Sequence, residues 1–213
     1  MKTSVTMSPM PSTSYLVIDM YINWRLREID IKIVYYGPPC SGKTTNLEQI
    51  YDRMAGRKKN KLVSLKTQED RTLFFDFLPL EIGEYNGLKP RLNLYTVPGQ
   101  SIYVSTRHLV LEDVDGIVFV ADSQHGQLYE NIQAMQEMRG HLDALGYQPK
   151  IVPLVLQFNK RDLPGISPIS MLHQELAQSN GTPYCEAVAT QGIGVITTLK
   201  QIVTLVFKMM SDT

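Results

Sequence analysis

Four residues in the string GPPCSGKT (residues 37–44) have the types and spacing of a phosphate-binding loop: Gly37, Gly42, Lys43 and Thr44. Glycines let backbone N–H groups approach a phosphate, the lysine adds positive charge, and the threonine hydroxyl ligates Mg²⁺. An apolar run precedes the loop and an amphipathic run follows it, so a helix N-terminus adds further donors. We therefore predict a nucleotide phosphate site that also uses the backbone N–H groups of Cys40, Ser41 and Thr45.

A second group of polar residues follows an apolar strand in the string FNKRD, residues 158–162. The Asp162 carboxylate can accept hydrogen bonds from both guanine N1–H and the exocyclic amine, an arrangement that adenine does not offer. Asn159 is placed to tie loops together and meet the base, while the Lys160 stem covers the ring. Alone this pattern is a common surface tetrapeptide, but after a phosphate loop and at a strand end it predicts a guanine site.

The string TVPGQ, residues 96–100, ends another strand. Gly99 can present its N–H to a γ-phosphate, and Gln100 can orient an attacking water. A simple Pro-Gly turn remains the alternative interpretation of this string. Together with the other two motifs, however, it favours hydrolysis of a bound nucleoside triphosphate.

The elements that must position these motifs alternate between strand and helix. Four apolar runs are typical of strands buried on both faces: IKIVYY, RLNLYTV, GIVFVAD and IVPLVLQF. Helical spacing between them is carried by TTNLEQIYDRMAG, LYENIQAMQEMRGHLDALG, PISMLHQELAQSN and VITTLKQIVTLVFKMM. The segments LFFDFLPLEIGEYNG and LKPRLNLYTV meet at Asn86-Gly87 without a helix, which predicts an antiparallel pair. The fold class is therefore α/β with a mostly parallel sheet.

Composition narrows the class of protein. Lys+Arg and Asp+Glu both number 21, so a zero formal charge disfavours nucleic-acid binding. Two cysteines without a disulfide pattern are typical of a reducing cytosol, and neither a secretory signal nor an integral membrane segment is evident. We predict a flexible N-terminal extension over residues 1–20 and a single domain over residues 21–213.

These strings together resemble the MglA family, bacterial Ras-like small GTPases of gliding motility and cell polarity. The resemblance spans roughly residues 20–210 and is carried by KIVYYGPPCSGKTTNLEQIY, DRTLFFDFLPLEIG, LYTVPGQ, GIVFVADSQ, FNKRDLP and AVATQGIGVITTLK. It implies a six-stranded sheet with one antiparallel strand and helices on both faces. It also implies a GDP/GTP switch that uses Mg²⁺, a roadblock-domain activator, an unidentified effector, and a cytoplasmic, polar location.

The resemblance also implies roles for individual residues. Thr72 resembles the switch threonine that meets Mg²⁺ and the γ-phosphate, so Thr44 and Thr72 are the expected metal ligands. Arg71 resembles an arginine that moves toward the transferring phosphate when the partner binds, and Gln100 resembles the water-positioning glutamine. The backbone N–H of Ala189 resembles the group that meets guanine O6.

Two positions depart from the common Ras-like pattern. Thr96 stands where most of these proteins have an aspartate that supports Mg²⁺, and Asp76 is a candidate replacement, although a solvated surface carboxylate is an equal alternative. Pro39 stands where a glycine is usual and has no N–H to donate. The donors nearest the β-phosphate lie around Gly42, so we expect nucleotide binding to persist. A ring above the γ-phosphate should instead obstruct Gln100 and Arg71 and slow hydrolysis.

Three functions therefore remain open at this level. A regulatory GTPase with slow, partner-stimulated turnover is favoured. The alternative is a hydrolysis-deficient, GTP-dependent scaffold or interaction module. A metabolic phosphate-loop kinase is disfavoured by the guanine motif.

Overall fold

A computed structural model of the protein describes residues 22–23, 26–54, 63–65, 75–84, 87–98, 104–147, 152–177 and 179–211. The strands are β1 Ile22–Asn23, β2 Glu28–Tyr36, β3 Val63–Leu65, β4 Phe75–Glu81, β5 Lys89–Thr96, β6 Gly116–Asp122, β7 Leu154–Asn159 and β8 Tyr184–Glu186. The helices are α1 Lys43–Met54, α2 Val104–Leu111, α3 Leu128–Ala144, α4 Ile169–Leu176 and α5 Val195–Ser211. The predicted extension over residues 1–20 lies outside the described residues.

The strands form one sheet in the order β3-β4-β5-β2-β6-β7-β8, and β1 pairs with β2. Strands β5, β2, β6, β7 and β8 are mutually parallel, whereas β4 is antiparallel to β5. The predicted six-stranded, mostly parallel sheet with one antiparallel strand is thus confirmed, and the short strands β1 and β3 extend it. Gly87, between β4 and β5, has a φ of 77°, a left-handed conformation that favours glycine.

Apolar side chains fill both faces of the sheet. On one face α1 and α5 pack against the strands, with Leu47, Ile50, Ile202 and Val206 buried. On the other face α2, α3 and α4 contribute Leu111, Met135, Met138 and Leu172, among others. Every residue of β6 and β7 is buried, which explains their nearly continuous apolar sequences. Of the helices in the described part of the chain, none has the length and hydropathy to cross a membrane.

The predicted helices form, but α2 was not predicted from the sequence. Its eight residues, VSTRHLVL, contain several β-branched side chains and no acidic residue in the first turn. Leu111 and Arg107 are buried, so packing against the sheet and α3 stabilises the helix where propensity is weak.

Candidate functional site

The phosphate loop connects the carboxyl end of β2 with the first residue of α1. Gly37 has a φ of 142°, and a Cβ there would lie 2.2 Å from the carbonyl oxygen of Val120. Gly42 has a φ of 103°, and a Cβ there would lie 2.3 Å from Asn159 Nδ2. Only glycine fits both positions, because backbone strain and close approach both exclude a side chain. The conformation therefore leaves the loop backbone and the N-terminus of α1 facing the same end of the sheet.

Lys43 lies beneath this loop and is 7% exposed. Its Nζ donates hydrogen bonds to the carbonyl oxygens of Gly37 at 2.9 Å and Pro38 at 2.6 Å. Burial lowers the pKa of the Lys43 ammonium to about 8. Within the described ranges no carboxylate lies at ion-pairing distance from it. A buried cation without a paired anion is costly, so this environment favours an anionic ligand.

Pro39, which stands where a glycine is usual, lies in the outer part of the phosphate loop. Pro39 is exposed, whereas Pro38 is buried. Pro39 borders a cavity of about 260 Å³ that also contacts Arg107 of α2 and Glu137 of α3. Those two side chains form an ion pair at 3.4 Å. The side chains expected to compete with the proline ring, Gln100 and Arg71, lie outside the described residues, so the steric hypothesis stays a prediction.

The guanine motif meets the phosphate loop through Asn159 at the end of β7. Its Nδ2 donates to the carbonyl oxygen of Ser41 at 2.8 Å, and its Oδ1 accepts from the backbone N–H of Ala189 at 2.9 Å. Asn159 is 3% exposed, so these bonds are protected from water. The structure therefore brings three predicted site residues together across three separate loops, at the edge where parallel sheets bind ligands.

Lys160 and Asp162 follow Asn159 and differ in their surroundings. Lys160 has a φ of 64°, and its Nζ contacts Asp122 Oδ2 at 2.5 Å. The Asp122 side chain is 3% exposed, and its Oδ1 accepts from the backbone N–H of Gln124 at 3.0 Å. Asp162 is exposed and available to a ligand. Sequence reasoning missed Asp122, although an acidic residue closing the otherwise apolar run GIVFVAD was a signal.

Thr44, Asp76 and Thr96 form a group of oxygen atoms beside the phosphate loop. Thr44 Oγ1 donates to Asp76 Oδ2 at 2.6 Å, and Thr96 Oγ1 donates to the same oxygen at 3.0 Å. The backbone N–H of Asp76 donates to Thr96 Oγ1 at 2.9 Å. The Asp76 carboxylate thus lies against Thr44, the expected Mg²⁺ ligand, and its support of the ion stays a prediction. Oxygen donors of this kind suit Mg²⁺.

The remaining predicted site residues are placed as follows. Cys40 is exposed with a φ of 57°, and Thr45 is the third residue of α1. Arg71, Thr72, Gly99 and Gln100 lie outside the described residues. The structure thus assembles the phosphate-loop and guanine-loop residues, and it leaves the predicted switch residues as predictions.

Comparison with known proteins agrees with this geometry. Residues 32–208 match the Ras family. The chain is also 50% identical over 186 residues to the mutual gliding-motility protein MglA of Myxococcus xanthus (strain DK1622), an alignment covering 87% of this chain and 95% of that protein. The resemblance inferred from the sequence motifs is therefore confirmed. The chain belongs to the Ras family of small GTPases, and it is an MglA-like member that binds guanine nucleotide and hydrolyses GTP.

Proposed function

We propose that this GTPase is a switch for cell polarity or motility, whose slow hydrolysis of GTP is stimulated by a roadblock-domain protein. The proposal rests on the hydrogen bonds by which Asn159 joins the phosphate loop to the Ala189 loop. It rests also on the 50% identity of this chain to a gliding-motility protein. We assign the switch to a single domain over residues 21–213. Cytoplasmic and polar placement belong to the same proposal.

The phosphate loop would hold the nucleotide by its backbone donors and Lys43. Two of the three ammonium N–H groups already bond to loop carbonyls, and we assign the third to a phosphate oxygen. The backbone N–H groups of Cys40, Ser41, Gly42, Thr44 and Thr45 complete the phosphate contacts, and Gly37 gives the loop its turn.

The base would be recognised by Asp162, Lys160 and the Ala189 N–H. The contact between Lys160 and Asp122 fixes the lysine stem, so that its methylenes can cover the ring face. Asp162 would accept the two guanine hydrogens that adenine lacks. A site built to bond hydrogens that the wrong base lacks discriminates by about 10⁴-fold.

Mg²⁺ would be held by the hydroxyls of Thr44 and Thr72, and the bound ion would neutralise charge on the phosphates. The Thr44–Asp76 bond supports this assignment because a carboxylate beside a ligating hydroxyl can also order the water that Mg²⁺ retains. Asp76 thus takes the place of the aspartate that Thr96 replaces. Gly99, Gln100 and Arg71 would act on the γ-phosphate and the attacking water.

A comparison of the two nucleotide states tests the regulatory role. We expect protein loaded with a non-hydrolysable GTP analogue to capture a roadblock-domain protein, and GDP-loaded protein to capture much less. The Asp162→Ala variant, which lacks the proposed base contact, is the control for nucleotide dependence. Equal capture in both states would contradict a switch and favour a constitutive interaction module.

A further inference from the structure

Three polar side chains meet in the apolar core beneath the nucleotide loops. They are Asn46 of α1, Gln157 of β7 and Thr198 of α5, and each is 0% exposed. Apolar residues of the α1 and α5 face, including Leu47, Val155 and Leu199, are buried in the same region. Neither the phosphate motif nor the guanine motif accounts for polar groups at these positions.

The three side chains form one continuous hydrogen-bonded network. The amides of Asn46 and Gln157 bond to each other in both directions, at 2.8 and 2.9 Å. Asn46 Nδ2 also donates to the carbonyl oxygen of Gly42 at 2.9 Å, and Gln157 Nε2 also donates to Thr198 Oγ1 at 3.0 Å. Both amide nitrogens therefore use both of their hydrogens.

This hydrogen-bonded network ends at the phosphate loop and at the residue that follows the Ala189 loop. Gly42 belongs to the phosphate loop, and the Thr198 hydroxyl donates to the carbonyl oxygen of Gly194 at 2.8 Å. Gly194 directly follows the loop that contains Ala189, and a Cβ there would lie 2.1 Å from the carbonyl oxygen of Glu186. The hydrogen bonds thus run from the phosphate loop to the residue that follows the Ala189 loop and precedes α5, below the direct link that Asn159 makes.

Stability alone does not explain such a group in the core. Apolar side chains of similar size could fill this space without removing amides from water, and such replacements are often neutral or stabilising. What apolar side chains cannot supply is directional contact that fixes one loop relative to the other.

We propose that Asn46, Gln157 and Thr198 are positioning residues that fix the phosphate loop relative to the loop that contains Ala189 and so slow nucleotide release. The proposal rests on the nucleotide site described above. A nucleotide held at both ends leaves only when one loop moves away from the other. Removing this hydrogen-bonded network lets the loops move separately, so nucleotide release becomes faster.

The double variant Asn46→Leu, Gln157→Leu tests this directly. It leaves no new unpaired group on the two loops, because Gly42 O still accepts from the backbone N–H of residue 46 at 3.0 Å and Thr198 still donates to Gly194. We expect release of a fluorescent GDP to be at least tenfold faster. We expect the Tm of the nucleotide-free protein to stay within about 4 °C of wild type.

A second set of variants separates positioning from packing. Thr198→Val keeps the shape but loses the hydroxyl and leaves one Gln157 Nε2–H without its acceptor, so its Tm is measured beside its release rate. Thr198→Ser keeps the hydroxyl and loses a methyl. Thr204→Val removes a hydroxyl that donates to a carbonyl of the same helix on its exposed side, and it is the matched control. We expect fast release for Thr198→Val, and near wild-type release for the other two variants.

The outcomes are distinct. Wild-type release rates in the double variant would overturn the proposal, and so would equal rates for Thr198→Val and Thr198→Ser. If the double variant is unstable, faster release for Thr198→Val than for Thr198→Ser still supports positioning. Failure of the wild-type protein to bind guanine nucleotide would instead overturn the proposed function.

Discussion

Asp76 offers a test of the proposal that this protein holds Mg²⁺ without the usual aspartate. Its carboxylate accepts hydrogen bonds from Thr44 at 2.6 Å and Thr96 at 3.0 Å. In the antiparallel register of β4 and β5, Phe77 lies opposite Tyr95, so Asp76 and Thr96 occupy the next facing pair. Facing Cβ atoms are about 4.5–5.5 Å apart, so a carboxylate moved to position 96 stays near Thr44.

The magnitude is that of one hydrogen bond from the Mg²⁺ site to Asp76: with the ion in place, Thr44 or a water on the ion would donate to this carboxylate. A hydrogen bond to a charged group contributes about 1.5–3 kcal/mol, and this site is exposed to solvent, so the lower value applies. A loss of about 1.4 kcal/mol is tenfold in an equilibrium or rate ratio. Asp76→Ala should therefore release GDP about tenfold faster in saturating Mg²⁺, and Asp76→Ala, Thr96→Asp should recover most of the loss.

Stopped-flow release of a fluorescent GDP, with Mg²⁺ and with EDTA, measures both effects. Glu81→Ala removes an exposed carboxylate at the other end of β4 and should release GDP like wild type. The Asp76→Ala effect should vanish in EDTA. A tenfold effect that persists in EDTA would refute the reasoning, because Asp76 would then act on the loop rather than through the metal.

Three further predictions address the base, the buried lysine and the proline. Asp162→Asn should shift preference from guanine to xanthine nucleotides in competition binding, because an amide donor matches the xanthine C2 carbonyl; retained GTP preference would exclude Asp162 from base recognition. Burial lowers the pKa of Lys43 to about 8, and a bound phosphate favours its charged form, so binding takes up a proton. GDP affinity measured from pH 7 to 9 should fall about tenfold per pH unit above about 8; a flat profile over this range would contradict this. Pro39→Gly should raise partner-stimulated hydrolysis at least tenfold, about 1.4 kcal/mol of barrier, with GTP affinity little changed. Adding Arg71→Ala should remove most of that gain, and a wild-type rate equal to that of Pro39→Gly would refute the steric account.

The order of strands and helices could be predicted from the sequence because each element has its own local pattern of apolar residues. Apolar runs such as GIVFVAD are buried along their whole length, and the predicted turn at Gly87 joins the antiparallel pair. The phosphate and guanine motifs were also readable, since each consists of a few adjacent residues at the end of a strand. Helix α2 was missed because packing, rather than propensity, stabilises it.

Contacts between residues far apart in the chain could not be predicted from the sequence. Asn46 and Gln157 are 111 positions apart, and Asp122 and Lys160 are 38 positions apart. No local pattern pairs such residues, because their meeting depends on strand order and on the rotation of each helix. Asp76 was recognised as a candidate, but only the register of β4 and β5 places it beside Thr96 and Thr44.

Single-turnover hydrolysis of preloaded GTP, with and without a roadblock-domain protein, tests the central claim most directly. The account predicts slow hydrolysis by the protein alone and at least tenfold faster hydrolysis with the partner. Asp162→Ala, which lacks the base contact, serves as the binding-deficient control. Absence of hydrolysis under both conditions, with GTP still tightly bound, would contradict a timed switch and identify a GTP-dependent scaffold instead.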